Sequence, residues 1–158
     1  VAPDPGPSRS FDFTPLFPSE RVLIAPRDHA LSRRAPASLK ELARHPLILP
    51  RYQTETRALL ESEFRRLKVP YDIALELDSA ELLERYVELG VGLAVGLRGP
   101  RASESWTRLS VVSLARLLPS ATIGVVRRRS LPLSEAAMAL IAALQAAAQP
   151  ATRGKARA

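Results

Sequence analysis

With 158 residues, 46% of them hydrophobic and 25% charged, the chain has the make-up of a folded domain with a sizeable core, which excludes a disordered segment. The absence of cysteine excludes disulfides, thiolate nucleophiles and cysteine-held metals. The net charge of +7 is concentrated late in the chain: residues 101–158 carry nine basic and two acidic groups, whereas 51–100 carry seven and nine, so no continuous basic stripe is offered to nucleic acid.

In chain order, VAPDPGPSRS at 1–10 reads as an irregular connector, and Phe11 to Phe17 as extended. Val22 to Ala25 is a short apolar run stopped by Pro26, the pattern of a buried strand. Ser38-Leu39-Lys40-Glu41 is a capping box that opens a short helix to about Arg44. Leu47 to Leu49 is a second buried strand, bounded by His45-Pro46 and Pro50. From Thr54 to Lys68, Leu60, Phe64 and Leu67 recur at helical spacing, and Pro70 closes the segment. Ile73, Leu75 and Leu77 alternate as in a strand, and Asp78 or Ser79 caps a helix running to Leu89, with Gly90 as its stop. Val91 to Leu97 reads as a strand whose Gly92 and Gly96 imply close approach to another element or to a ligand. After a loop containing Trp106, Leu109 to Val112 and Thr122 to Val126 are strands. A last helix runs from Ser134 to about Gln149, with Leu133 and Met138 as a hydrophobic staple and Pro150 as the stop. Strands alternating with helices predict an α/β fold with a largely parallel sheet.

No nucleophile beside a base, paired carboxylates, metal cluster or phosphate loop is legible, so no catalytic residue, metal ligand or cofactor is expected and the chain reads as a non-enzyme. The glycines of Gly90 to Gly96 follow a helix and sit within a strand, which rejects a dinucleotide fingerprint. His29 and His45 stand beside turns with no ligand at sequence spacing and read as structural or solvent-exposed. No apolar run is long enough to cross a bilayer and no signal peptide is visible, so a cytoplasmic protein with no membrane partner is expected. A start at Val-Ala-Pro without Met implies that the true start is missing.

The informative place is Pro50-Arg51-Tyr52-Gln53-Thr54-Glu55-Thr56-Arg57, a loop from a buried strand into a helix N-terminus. Free N–H groups and the positive helix end favour an anion there, and Arg51 or Arg57 can supply charge. Either Thr54 or Thr56 can instead serve as the helix cap.

The order of segments resembles the effector-binding domain of LysR-type transcriptional regulators. The resemblance is carried by RVLIAPRDHAL at 21–31, by SLKELARHPLI at 38–48, by DSAELLERYVELGVGLAV at 78–95, and by IGVVRR at 123–128 with Leu133-Ser134 to Leu144. It covers most of 11–149, and the last two motifs are most similar to the branch that regulates cysteine biosynthesis and sulfur assimilation. The resemblance implies an α/β, periplasmic-binding-protein-like fold (type II) of two lobes with the effector in their cleft. The second lobe is complete and the first partial. On that division 1–26 is connector and extended segment of the first lobe, 27–121 the second lobe, 122–149 the return strand and closing helix of the first, and 150–158 a basic tail. The implied function is sensing of a small anionic metabolite by a homo-oligomeric regulator, which meets DNA only through a missing N-terminal helix-turn-helix. Effector contacts are expected from Tyr52, Gln53, Thr54, Glu55, Thr56 and Arg57, with Pro26 and Gly96 as crossing or cleft-lining backbone. The closing helix is expected to expose Leu140, Ile141 and Leu144. The alternative is a transporter's solute-binding protein of the same fold.

Overall fold

Every residue of the run Val22–Ala25 is at most 2% exposed, so this strand has no solvent side and must be covered on both faces. The computed structural model describes residues 1–4, 6, 8–51, 54–98 and 108–148. These fall into two units, one continuous (Ser19–Ala121) and one discontinuous (Val1–Pro18 with Thr122–Ala158). Trp106, Pro150 and the basic tail lie outside the described residues.

The continuous unit is a five-stranded sheet. In chain order its strands are β3 (Arg21–Pro26), β4 (Leu47–Leu49), β5 (Ile73–Glu76), β6 (Leu93–Leu97) and β7 (Leu109–Ser113), and in space they lie β5-β4-β6-β3-β7. β4 pairs in parallel with β5 and β6, whereas β3 is antiparallel to both β6 and β7. Four strands therefore share one direction and β3 alone is reversed. The expected largely parallel sheet is corrected to a mixed one. The helix-linked strands β4, β5 and β6 are parallel as crossover connections require, and β3, which brings the chain in, runs against them.

Alternation along β3 sorts the core into two faces. Leu23 and Ala25 join Leu47, Leu49, Leu93 and Val95 under α1 (Leu39–Leu42) and α2 (Glu55–Leu67), through Leu39, Leu42, Leu60 and Phe64. Val22 and Ile24 join Ile48 and Ala94 under α3 (Ala80–Glu88), through Val87. Each fully buried Val, Leu, Ile or Phe among these contributes about 1.5–3 kcal/mol.

The helix ends follow the sequence, with two differences. Ser38 caps α1 by accepting from the Glu41 N–H, but Glu41 reaches back to the Ala37 N–H at 2.6 Å instead of Ser38 and also grips Arg34. That guanidinium, then the Ala37 N–H, lowers the Glu41 carboxyl to about 2. α2 stops at Lys68, which takes a left-handed conformation (φ 51) before Pro70 is reached. His29 and His45, far apart in sequence, meet edge to face with ring centroids 4.8 Å apart. His29 Nδ1 accepts the Leu31 N–H at 3.1 Å, capping a single 3-10 turn (Ala30–Ser32).

The discontinuous unit holds a three-stranded sheet in the order β1 (Ala2–Pro3), β8 (Ala121–Arg128), β2 (Phe11–Ser19), followed by α4 (Glu135–Ala148). Gly124 is required where β2 crosses close by: a Cβ there would lie 2.3 Å from the Thr14 carbonyl oxygen. Ser134 caps α4, its hydroxyl accepting the Ala137 N–H at 3.2 Å. No residue of α4 is buried; Met138 and Leu140 are exposed, and Ile141 and Leu144 are half-buried.

Candidate effector site

Two parallel strands, β4 and β5, each run directly into a helix, so their carboxyl ends deliver two helix N-termini side by side. At the end of β4, Thr54 has extended backbone and its Oγ1 accepts the Arg57 N–H at 3.3 Å, making it the N-cap of α2. This settles the choice between the two threonines: Thr56, only 7% exposed, lies inside the first turn. At the end of β5, Ser79 caps α3 by accepting from the Leu82 N–H. Asp78 ties the two turns together, its Oδ1 accepting the Arg51 N–H at 2.9 Å. The carboxyl ends of parallel strands are where open α/β sheets take ligands, and helix starts present N–H groups and a positive dipole end there.

The charges around this loop are committed to one another. Arg57 is 3% exposed; it donates to Glu61 (2.8 Å) and the Pro50 carbonyl (2.8 Å) and pairs with Glu76 (2.7 Å). The Glu61 hydrogen bond first, and Glu76 after it, raise the guanidinium above its ordinary pKa, against the opposing effect of burial. Arg51 is exposed and faces Asp78 at 3.8 Å. Glu55, at the first helical position, pairs with Arg21, whose side chain is wholly buried. Arg21 also donates to the Pro119 carbonyl, and its Nε is buried without a partner. An ionised group buried this deeply is held only by its pairing, so Arg21 anchors the N-terminus of α2 to the head of β3. Among the described residues, an anion at this loop would be met by backbone N–H groups and hydroxyls rather than by a spare guanidinium.

Of the residues expected at the site, Thr54, Glu55, Thr56 and Arg57 lie together on the first turn of α2. Tyr52 and Gln53 lie outside the described residues. Gly96 pairs with Val22 in β6, in the strand rows nearest the loop, and a Cβ there would press on Ile24 Cδ1 at 3.2 Å. Pro26 is not brought to the loop. It ends β3 opposite Leu109, four residues or roughly 13 Å along the strand from Val22, at the end of the sheet where β4 begins. Sequence reasoning missed Arg21 and the Asp78 bridge. The readable signal for Arg21 was parity: the alternation that turns Leu23 and Ala25 toward α2 turns Arg21 the same way.

Among the described residues no cluster of three metal-ligating side chains occurs, and no helix is long and apolar enough to cross a membrane. The family described as LysR substrate binding domain matches residues 1–149. The chain is 35% identical over 98 residues to the HTH-type transcriptional regulator cbl of Klebsiella aerogenes, covering 60% of this chain and 31% of that protein. It is 33% identical over 81 residues to the HTH-type transcriptional regulator CysB of Burkholderia cenocepacia, covering 51% and 26%. The chain thus spans a third or less of the length of these curated relatives. These likenesses agree with the branch that its motifs at 78–95 and 123–128 resemble. The regulatory domain of CcmR from Synechocystis PCC6803, solved in complex with 2-PG, superposes with a TM-score of 0.75 at 20% identity, covering 94% of this chain and 72% of that one. The fold is the type II periplasmic-binding-protein-like α/β fold, and the chain belongs to the LysR substrate-binding domain family.

Proposed function

We propose that this chain is the ligand-sensing part of a LysR-type transcription regulator and takes a small anionic metabolite at the loop 50–57. The observation that carries this reading is the pair of capped helix starts, Thr54 on α2 and Ser79 on α3, bridged by Asp78 at the carboxyl ends of parallel β4 and β5. Such a site suits a carboxylate or phosphate held by backbone N–H groups, Thr54, Tyr52 and Gln53. That a relative's regulatory domain was solved with 2-PG supports the same ligand class. The effector lobe is taken as 27–121 together with the strand Arg21–Pro26 that runs through its sheet, and 122–149 as return strand and closing helix. Gly96 lines the same sheet end, whereas Pro26 serves as backbone at the other.

The role is regulatory and not catalytic, in a cytoplasmic homo-oligomer that meets DNA through a separate helix-turn-helix. Effector binding acts by shifting populations: a ligand that prefers one conformation of the regulator changes how its paired subunits present their DNA-binding segments. The test is calorimetric titration of the full-length regulator with a panel of small carboxylates and phosphomonoesters, alongside operator-binding measurements. At least one compound is expected to bind, to alter operator affinity, and to lose about tenfold in affinity when Thr54→Ala removes the hydroxyl. Operator binding indifferent to every small metabolite in the panel would defeat the sensor reading.

A further inference from the structure

The discontinuous unit carries a depression of its own, remote in sequence from loop 50–57. It has a volume of about 600 Å3 and is lined by Arg9, Ser10, Phe11, Arg128, Arg129 and Ser130, a size within the ordinary range for small-ligand sites. Its rim is held by short-range hydrogen bonds. Ser8 Oγ accepts from the Ser10 and Phe11 N–H groups, both at 3.2 Å, which fixes the turn bearing Arg9. The Arg129 N–H donates to the Ser10 carbonyl at 2.9 Å, which locks that turn against the end of β8.

The charge here is unbalanced. Asp12 pairs with Arg127 and, at 2.9 Å, with Arg129 Nε. Among the described residues neither Arg9 nor Arg128 makes an ion pair, and the one carboxylate nearby in sequence, Asp12, is taken up by Arg127 and Arg129. Beside them the Phe11 side chain is 40% exposed, a large apolar surface left next to two uncommitted guanidinium groups. This differs from loop 50–57, where every arginine is paired.

We propose that this depression binds a small organic anion, with an oxyanion head taken by Arg9 and Arg128 and a planar apolar body lying on Phe11. Guanidinium forks match the two oxygens of a carboxylate or phosphate, and an exposed aromatic face recovers free energy when a flat apolar group covers it. The proposal stands independently of the effector reading for loop 50–57.

The full 158-residue chain is titrated with phenyl phosphate, phenylacetate and inorganic phosphate while backbone amide shifts are followed by NMR. The two phenyl compounds are expected to move amides of 8–12 and 127–131 and to bind about tenfold or more tighter than inorganic phosphate. The tighter of the two identifies the preferred head group. The double variant Arg9→Ala/Arg128→Ala is expected to lose at least about tenfold for all three probes, and Phe11→Leu to weaken only the phenyl compounds. Both arginines are exposed, so an unchanged melting curve checks that the fold is retained. If it moves, Arg128→Lys, which keeps the charge and drops the fork, takes the double variant's place and should weaken binding severalfold. The idea is overturned if no probe shifts these amides at millimolar concentration, if organic and inorganic probes bind alike, if the arginine variants bind as the parent does, or if the shifts centre on 54–57.

Discussion

The two units of this molecule carry sequence signals of similar quality and bury them very differently. Among the described residues, every buried apolar side chain belongs to Ser19–Ala121, where a sheet is covered on both faces by α1, α2 and α3. In the other unit α4 is as clearly signalled, with Ser134 as its cap, yet it buries none of its residues. Local chemistry is enough to shape an element; enclosure of a core is a separate achievement that needs facing surfaces. The continuous unit is therefore expected to carry most of the stability, and the other to open at lower free energy.

The widest test of that contrast pairs two deletions. Phe64→Ala should cost about 3–5 kcal/mol in urea unfolding, whereas Leu140→Ala on α4 should cost no more than about 0.5 kcal/mol. Equal costs would mean that α4 has an enclosed core after all. Next in size is the pairing at Arg21. Glu55→Gln leaves a wholly buried guanidinium without its counter-charge and should cost about 3 kcal/mol, while Arg21→Met leaves a Glu55 that is half in solvent and should cost about 1 kcal/mol. The reverse order would show that water reaches Arg21. Removing the α2 cap is smaller still: Thr54→Ala is expected to lose about 1 kcal/mol and Thr54→Ser much less, read from the same denaturation curves.

The smallest expected effect is a pH dependence. Burial, then the neighbouring His45, holds His29 below its ordinary value of 6.5, with Asp28 opposing. The unfolded chain binds that proton first, so stability should fall as pH drops from 6.5 toward the folded-state value and level off beneath it. His29→Asn, which keeps an acceptor for the Leu31 N–H, should flatten that limb of a melting-temperature profile. The Glu41 contribution is a separate acid limb, present above 4.5 and lost as pH falls toward about 2. It should survive His29→Asn untouched.

Much of the sheet was legible because Val22–Ala25 and Leu47–Leu49 are continuous apolar runs between prolines, and such runs have one use in a domain this size. The reversal of β3 was not legible, since strand direction depends on where the chain lands after residues 27–46 and no local pattern records it. At the candidate site, the loop and its helix start could be read, but the choice of Thr54 over Thr56 rests on backbone dihedrals. Arg21 escaped notice because an arginine at the head of a strand looks like a solvent-facing residue until Glu55 and Pro119 close over it. The two histidines were read singly for a related reason. They meet because the end of β3 and the start of β4 lie at the same end of the sheet, on either side of β6.

The continuous unit is spliced into the other one, interrupting it after Pro18 and releasing it at Thr122. During synthesis β2 leaves the ribosome well before β8, the strand that lies between it and β1, has been made. Residues 19–121 meanwhile hold every strand of their own sheet, which closes once β6 and β7 have joined β3. The order of translation thus favours a nascent chain whose middle is finished while its two ends still wait for each other. Slowing elongation after residue 121 should leave the early segment, with Phe11 and Phe13, exposed to chaperones for longer.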